Sequence, residues 1–267
     1  MNKKLKTYIA EKLKTFGLYN PVRKFYNWIT LLNSRKNIQI SNLEAVFFTP
    51  SYRIIEDLEN IFCEKDFLGY LLKEVQENDV VWDVGASYGI YSVFFGKIAK
   101  SGKVYAFEPE ASTCKLLEKN IKLNELKNIF IQKYALGDTN EKILFYQSKS
   151  ANIGTHSILK RSDYPVSSKG KLIQVKTADA IIKNKDVFLP DVIKIDVEGA
   201  EMMVLNGMKS LLREGNIRIL QIEIHPKLLN LMNVKEEDVK NFIESFGYIP
   251  VKCKTRGTEV LVLYKKV

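Results

Sequence analysis

Three acids and a lysine lie close together in one segment of the chain, in a pattern that suits catalysis. The segment is KIDVEGAE at residues 194–201, an apolar, strand-like run that carries the lysine and ends in the acids. A buried strand is normally apolar throughout, so these polar residues need a reason. Side chains alternate along a strand, and Lys194, Asp196 and Glu198 therefore share one face.

A second segment places a histidine in the same kind of position. EIHP at residues 223–226 follows another apolar run, and alternation puts Glu223 and His225 on one face. A neutral imidazole accepts protons near neutral pH, so His225 is our first candidate for a general base. A buried structural histidine is the alternative. Because strand ends of α/β sheets meet at one crevice, we expect both segments to face the same ligand.

A glycine motif lies between a predicted strand and a predicted helix. It reads DVGASYG at residues 83–89. Glycines let a ligand approach the backbone, and the helix N-terminus offers N–H groups to an anion. A nicotinamide or flavin fingerprint would read GxGxxG, whereas this one reads DxGxxxG. An acid at Asp83 suits a cationic amine, such as that of S-adenosylmethionine, better than a pyrophosphate.

Two further acids follow predicted strands. Glu108, with Pro109 after it, ends the second strand and could accept both ribose hydroxyls of an adenosine. A solvated acid at a strand end is the alternative. The third strand is expected to end in ALGD, where Asp138 could accept from the adenine amine. Gly-Asp-Thr-Asn is also typical of a turn, so a turn residue is an equal interpretation of Asp138.

The elements that position these residues alternate between strand and helix. Predicted parallel strands occupy residues 80–84, 104–107, 192–197 and 220–224, with a third strand in chain order starting at 129–131, and predicted helices cover 88–100 and 110–123. Two extended segments, 248–254 and 259–265, predict a closing antiparallel hairpin. The fold class is therefore α/β, a doubly wound Rossmann-like sheet. We expect the domain to span 46–267, with 139–178 as an insertion over the strand ends.

Composition excludes several classes of protein. The chain has 267 residues, 46% of them hydrophobic, and three cysteines without the spacing of a zinc site or a disulfide scaffold. No apolar stretch approaches the ~20 residues of a membrane span. The N-terminus lacks the pattern of a secretory signal, so the expected location is the cytoplasm.

The positive charge is concentrated in an N-terminal arm at residues 1–45. Nine lysines and arginines against one acid within residues 1–40 account for +8 of the net charge of +10. Apolar residues recur there at helical spacing, which predicts two short amphipathic helices. Their apolar stripes are expected to dock on the domain. The alternative is peripheral contact with an anionic membrane, at its inner surface.

Taken together, these motifs resemble the FkbM family of S-adenosylmethionine-dependent methyltransferases. The resemblance covers residues 60–230 and depends on DVGASYG, AFEP, ALGD, KIDVEGAE and EIH in that order. Ser87 stands where asparagine is common, and Asn78-Asp79 replaces a Pro-Gly-Asp lead. The resemblance implies a Rossmann-like methyltransferase fold with S-adenosylmethionine as cofactor. The expected cofactor contacts are Asp83, Gly85, Ser87, Gly89, Glu108, Pro109, Asp138 and Asp196.

Members of that family largely methylate hydroxyl groups of sugars and natural products, so the resemblance implies a small-molecule or glycan acceptor. A hydroxyl acceptor must lose its proton, which requires a base in hydrogen-bond reach. The expected catalytic residues are His225, Asp196 and Glu198, and the expected acceptor-binding residues are Lys194, Glu201, Glu223 and His156. The same acids could hold a divalent cation. We expect no metal, because they could equally bind sugar hydroxyls.

Three rival functions fit the sequence less well. A nicotinamide oxidoreductase is disfavoured by the missing GxGxxG. A nucleic-acid methyltransferase is disfavoured because the positive charge is confined to the arm, and because the chain has neither an Asn/Asp-Pro-Pro-aromatic motif nor a Pro-Cys nucleophile. No nucleic-acid partner is therefore expected. A non-catalytic module that only binds the cofactor remains an alternative.

Overall fold

The computed structural model describes residues 34–146 and 170–267. The strands within these two ranges are β1 (Arg35–Ile40), β2 (Leu43–Phe48), β3 (Val80–Val84), β4 (Lys103–Phe107), β5 (Ile129–Gln132), β6 (Ala135–Leu136), β7 (Lys142–Phe145), β8 (Lys171–Lys176), β9 (Val192–Ile195), β10 (Ile219–Ile224), β11 (Tyr248–Arg256) and β12 (Glu259–Lys266). Seven of them form one sheet in the order β11-β12-β10-β9-β3-β4-β5.

Helices cover both faces of this sheet. They are α1 (Tyr52–Glu74), α2 (Ile90–Ile98), α3 (Ala111–Leu123), α4 (Ala178–Lys183), α5 (Glu201–Asn206), α6 (Lys209–Glu214), α7 (Pro226–Asn230) and α8 (Glu236–Glu244). Alternate residues of each strand face opposite sides, so Val81 belongs to the core that contains residues of α1, α2 and α3, whereas Trp82 belongs to the core that contains residues of α4, α5, α6 and α8. All four residues of strand β9 are buried, and all of them are apolar except Lys194.

The predicted doubly wound sheet is confirmed. Strands β3, β4, β5, β9 and β10 pair in parallel, and β12 and β11 add the antiparallel hairpin expected at the C-terminal end. One prediction about the third strand is wrong. The third strand ends at Gln132. The first two residues of the ALGD segment form β6, which pairs with β8 in a separate sheet. Asp138 therefore does not end a strand of the main sheet.

The small sheet contains the described parts of the predicted insertion. Its order is β6-β8-β7, with β7 antiparallel to β8, so residues 142–145 and 171–176 of the predicted insertion form paired strands. Residues 147–169 lie outside the described part of the chain, and His156 is among them. The predicted helices of residues 1–33 lie outside it too, so the docking of the arm on the domain and the alternative contact with a membrane both stay predictions. Within the described part, no helix has the length and apolarity needed to span a bilayer.

A hairpin that the sequence analysis did not anticipate packs on the domain before the first helix. Its strands β1 and β2 place Ile38, Ile40 and Phe47 in the same core as α1 and α2. The expected domain boundary at 45/46 falls inside β2, so this hairpin is part of the domain. Antiparallel pairing with one face buried explains its alternating burial.

Asn120 of α3 connects this hairpin to the glycine loop. Its carboxamide accepts a hydrogen bond from the Phe48 N–H at 2.8 Å and donates one to the Tyr88 carbonyl at 2.7 Å. The residue is fully buried. Buried backbone groups have no water to replace such a partner, so Asn120 satisfies two groups that the fold cannot leave unpaired.

We expect Asn120→Ala to lower the free energy of unfolding by about 2–4 kcal/mol, because it leaves a buried N–H and a buried carbonyl unpaired. Urea unfolding followed by circular dichroism measures the change. Lys122→Ala, exposed on the same helix, is the matched control and should stay within about 0.5 kcal/mol. Equal losses in the two variants would contradict the role of Asn120.

Candidate active site

The acids and the histidine predicted from the two segments meet at the carboxyl ends of β9 and β10. These strands pair in parallel with Ile195 beside Ile222, so residues that follow them face one crevice. Asp196 comes directly after β9, and its N–H donates to the carbonyl of Val84 at 3.0 Å. Glu198 follows with a positive φ of 52°. The backbone turn at Glu198 and Gly199 leads the chain into α5, which begins at Glu201.

His225 lies at the centre of these carboxylates. Its Nδ1 lies 2.6 Å from Oε1 of Glu201, a fully buried acid that also accepts the Gly199 N–H at 3.0 Å. Its Nε2 lies 3.7 Å from Glu223, 3.9 Å from Asp196 and 4.0 Å from Glu198. The structure therefore brings all five of these predicted site residues together.

Burial and neighbouring charges shift the pKa values of these groups. Burial on its own would lower the pKa of His225, but the hydrogen bond to Glu201 and the nearby carboxylates raise it to about 10. Burial raises the pKa of Glu198 to about 7. Burial and then the charge of Asp196 raise the pKa of Glu223 as well. The crevice is thus a region of negative potential that attracts protons and other cations.

Lys194 faces inward rather than toward an acceptor. Its Nζ lies 3.3 Å from Asp83, 3.4 Å from Asp196 and 3.2 Å from the Gly85 carbonyl, and its side chain is 4% exposed. It also lies 5.0 Å from the centre of the Tyr91 ring. The ammonium partner of the buried Asp83 is therefore Lys194, and the predicted contact of Lys194 with the acceptor gains no support from this position.

The glycine loop fits tightly against the end of β9. Gly85 has a φ of 78°, and a Cβ there would lie 1.8 Å from the carbonyl oxygen of Asp196. The N–H groups of Gly85 and Ala86 donate to the carbonyl of Phe107, which binds the loop to the end of β4. Gly89, with a φ of 89°, precedes the first residue of α2. Both glycines thus adopt a conformation that other residues rarely take.

Glu108 comes directly after β4 and contacts the same loop. Its Oε2 accepts the Ser87 N–H at 3.1 Å and its Oε1 accepts the Glu110 N–H at 2.8 Å. Burial raises the pKa of Glu108 to about 7, because it outweighs these two hydrogen bonds. Of the other expected cofactor residues, Pro109 follows Glu108 directly, whereas Asp138 is exposed beside the small sheet.

The C-terminal hairpin contributes residues that the sequence analysis missed. Arg256, at the end of β11, places its Nη2 2.5 Å from Glu223 and 2.5 Å from Glu259. Strand β12 pairs with β10 so that Val260 lies beside Ile224, which brings the hairpin turn to the crevice. The sequence shows the Thr-Arg-Gly-Thr turn of this hairpin, but it does not show that strand β12 pairs with β10.

Comparison with known proteins gives matches over most of the chain. Residues 83–250 match the family model described as the methyltransferase FkbM domain. The chain is 30% identical over 213 residues to the hexuronic acid methyltransferase AglP of Haloferax volcanii, which covers 77% of this chain and 84% of that protein. It is 23% identical over 193 residues to Methyltransferase 1 of Beauveria bassiana, covering 65% and 75%. The solved fibrillarin of Methanococcus jannaschii, a pre-rRNA processing protein, aligns with 16% identity and a TM-score of 0.48 over 87% of this chain and 83% of that one.

We expect Gly85→Ala to destabilise the protein beyond the cost of its positive φ, because its methyl group would overlap the Asp196 carbonyl. Gly247→Ala is the matched control: its φ is 83°, but a Cβ there has no atom within 4 Å. The control should lose about 1–2 kcal/mol of unfolding free energy, and Gly85→Ala about 1–3 kcal/mol more. Chemical denaturation measures both, and indistinguishable losses would show that the loop tolerates a side chain.

Proposed function

This chain belongs to the FkbM family of S-adenosylmethionine-dependent methyltransferases, and from that membership we propose that it methylates a hydroxyl group of a sugar or glycan. The observation that carries the proposal is the group of carboxylates around His225 at the strand ends. Carboxylates accept hydrogen bonds from hydroxyl groups and can remove their protons. The relative AglP is named for a hexuronic acid, which is a sugar acceptor.

The residues around the glycine loop fit this cofactor. Glu108 is a buried carboxylate that accepts two N–H groups and is held beside Ser87, as an acceptor for a ribose diol would be. The close contact of Gly85 with Asp196 joins this loop to the acid cluster. When bound, S-adenosylmethionine supplies an electrophilic methyl group. The proposed cofactor contacts are therefore Gly85, Ser87 and Glu108. Asp83 supports them indirectly, because it pairs with Lys194, which also donates to the Gly85 carbonyl.

Exposure distinguishes the residues that can meet an acceptor from those that support them. The side chains of Asp196 and Glu198 are 30% and 27% exposed, whereas those of His225 and Glu223 are 4% and 5% exposed. Asp196 is paired with Lys194. In the described part of the chain, Glu198 has no ion pair with a lysine or an arginine. Glu198 is therefore our proposed base, and His225, our first candidate from the sequence, becomes a group that orients the cluster.

This arrangement assigns the chain's residues two tasks in methyl transfer. The acceptor hydroxyl donates its proton to Glu198 while Asp196 holds the acceptor in line with the methyl group. Most of the rate acceleration in such a displacement comes from positioning the two reactants. Glu201 supports this geometry from below by fixing the imidazole of His225.

We expect Glu198→Gln to reduce turnover by about 10²–10⁴-fold, because the amide keeps the size of the side chain but cannot accept the proton. Transfer of labelled methyl groups to a uronic acid or neutral sugar acceptor, or to an extract of source cells, measures it. Glu259→Gln makes the same change in another carboxylate of this region, one that pairs with Arg256. It is the control and should keep most of the activity. Wild-type turnover in Glu198→Gln would remove its assignment as the base. If label from the extract appeared in nucleic acid and not in sugars or glycans, the nucleic-acid alternative would be favoured.

We also expect affinity for S-adenosylhomocysteine, the demethylated product, to depend on the ionisation of Glu108. The pKa of Glu108 is raised to about 7, so the carboxylate that accepts the ribose hydroxyls forms only as the pH rises through that value. Lowering the pH from 8 to 6 should weaken binding about tenfold. Calorimetry at both pH values measures this.

Glu108→Gln provides the matched control for that titration. It should weaken binding at high pH by about 1–3 kcal/mol and make it nearly independent of pH in this range. If the variant keeps the wild-type pH dependence, another group is responsible, and Glu108 does not bind the ribose.

A further inference from the structure

Three side chains of the acid cluster lie close enough together to contact a single ion. Asp196, Glu223 and His225 each offer one ligand atom, and these atoms all lie within 4.8 Å of one another. The Nε2 atom of His225 is 3.7 Å from Glu223 Oε1 and 3.9 Å from Asp196 Oδ1. These separations are too long for hydrogen bonds. They are close to the spacing of ligands that each lie about 2.0–2.2 Å from a shared metal ion.

The orientation of the imidazole is a second, independent observation. His225 is 4% exposed, and its Nδ1 side is bound by the buried Glu201. Its Nε2 has no hydrogen-bond partner within 3.5 Å in the described part of the chain, although it faces the crevice. Histidines that bind metals usually donate their other ring N–H to a carboxylate, which fixes the tautomer and aims the free nitrogen at the ion.

Carboxylates are concentrated around this point. The carboxylates near this point are Asp83, Asp196, Glu198, Glu201, Glu223 and Glu259. Across the described ranges, the lysine and arginine that pair with them are Lys194 and Arg256, and each already bridges two carboxylates. A cluster of this kind holds a cation, which is a proton on His225 in the free protein, and a divalent ion can displace that proton when it binds.

We propose that Asp196, Glu223 and His225 bind a divalent transition-metal ion, such as Mn²⁺ or Zn²⁺, inside the acceptor crevice. One imidazole with two carboxylates suits these ions, whereas Mg²⁺ and Ca²⁺ prefer oxygen ligands alone. This changes our expectation of no metal, because the sequence did not show the imidazole aimed at the acids. The use of the ion to hold an acceptor hydroxyl rests on the proposed function, but its binding does not.

The test titrates metal-free protein with Mn²⁺, with S-adenosylhomocysteine present, and follows the loss of the electron paramagnetic resonance signal of the free ion. We expect one site per chain in the wild type. His225→Ala and Glu223→Gln should each weaken binding at least about tenfold. Glu259→Gln and Glu198→Gln, which keep all three ligands, should bind Mn²⁺ within a few-fold of the wild type. Competition by Zn²⁺ checks that the two ions share the site.

Several outcomes would overturn the metal site. They are no Mn²⁺ or Zn²⁺ binding by the wild type at millimolar concentration, and unchanged binding in both His225→Ala and Glu223→Gln. Thermal unfolding and S-adenosylhomocysteine binding confirm that each variant is folded. Methyl transfer is measured separately, with and without a chelator. Methyl transfer by a protein that binds neither ion removes the metal site but leaves the proposed function, whereas metal binding without any methyl transfer does the opposite.

Discussion

The ammonium group of Lys194 neutralises acids from two neighbouring strands, and the geometry of the crevice depends on it. It lies within 3.4 Å of Asp83, Asp196 and the Gly85 carbonyl, so it joins β3, the glycine loop and the end of β9. Burial alone would lower the pKa of Lys194, but the charges of Asp83 and Asp196 raise it, and the group stays charged. Removing one partner of such a buried network leaves an uncompensated charge. The loop and the acid cluster are therefore coupled.

The same network explains why a cluster of like charges persists in a folded protein. Lys194 binds Asp196 on one side of the crevice, and Arg256 from the C-terminal hairpin binds Glu223 on the other. His225 lies between these two ion pairs. A negative crevice of this kind favours ligands that bring hydroxyl donors or positive charge, which is consistent with a sulfonium cofactor and a hydroxylated acceptor.

Much of the fold and of the candidate site could be predicted from the sequence, because hydrophobic periodicity and strand-end motifs are local signals. The parallel strands, the closing hairpin and the convergence of Asp196, Glu198 and His225 all follow from them. The β1–β2 hairpin was missed, since its short, partly polar strands sit next to a basic segment. Asp138 was predicted to end a strand of the main sheet, but it follows β6 of the small sheet. One long strand and two short strands separated by a bend have the same composition, so the sequence does not distinguish them.

The sequence by itself determined which residues are candidates for the chemistry, since residue type and position at a strand end are properties of one segment. Only the tertiary structure decided what each residue contacts. In the folded chain, Lys194 contacts Asp83, and the buried imidazole of His225 contacts Glu201. Arg256, from the C-terminal hairpin, contacts Glu223. The physical reason is that burial and charge pairing depend on strand order, and strand order is set by packing between segments that are distant in the chain.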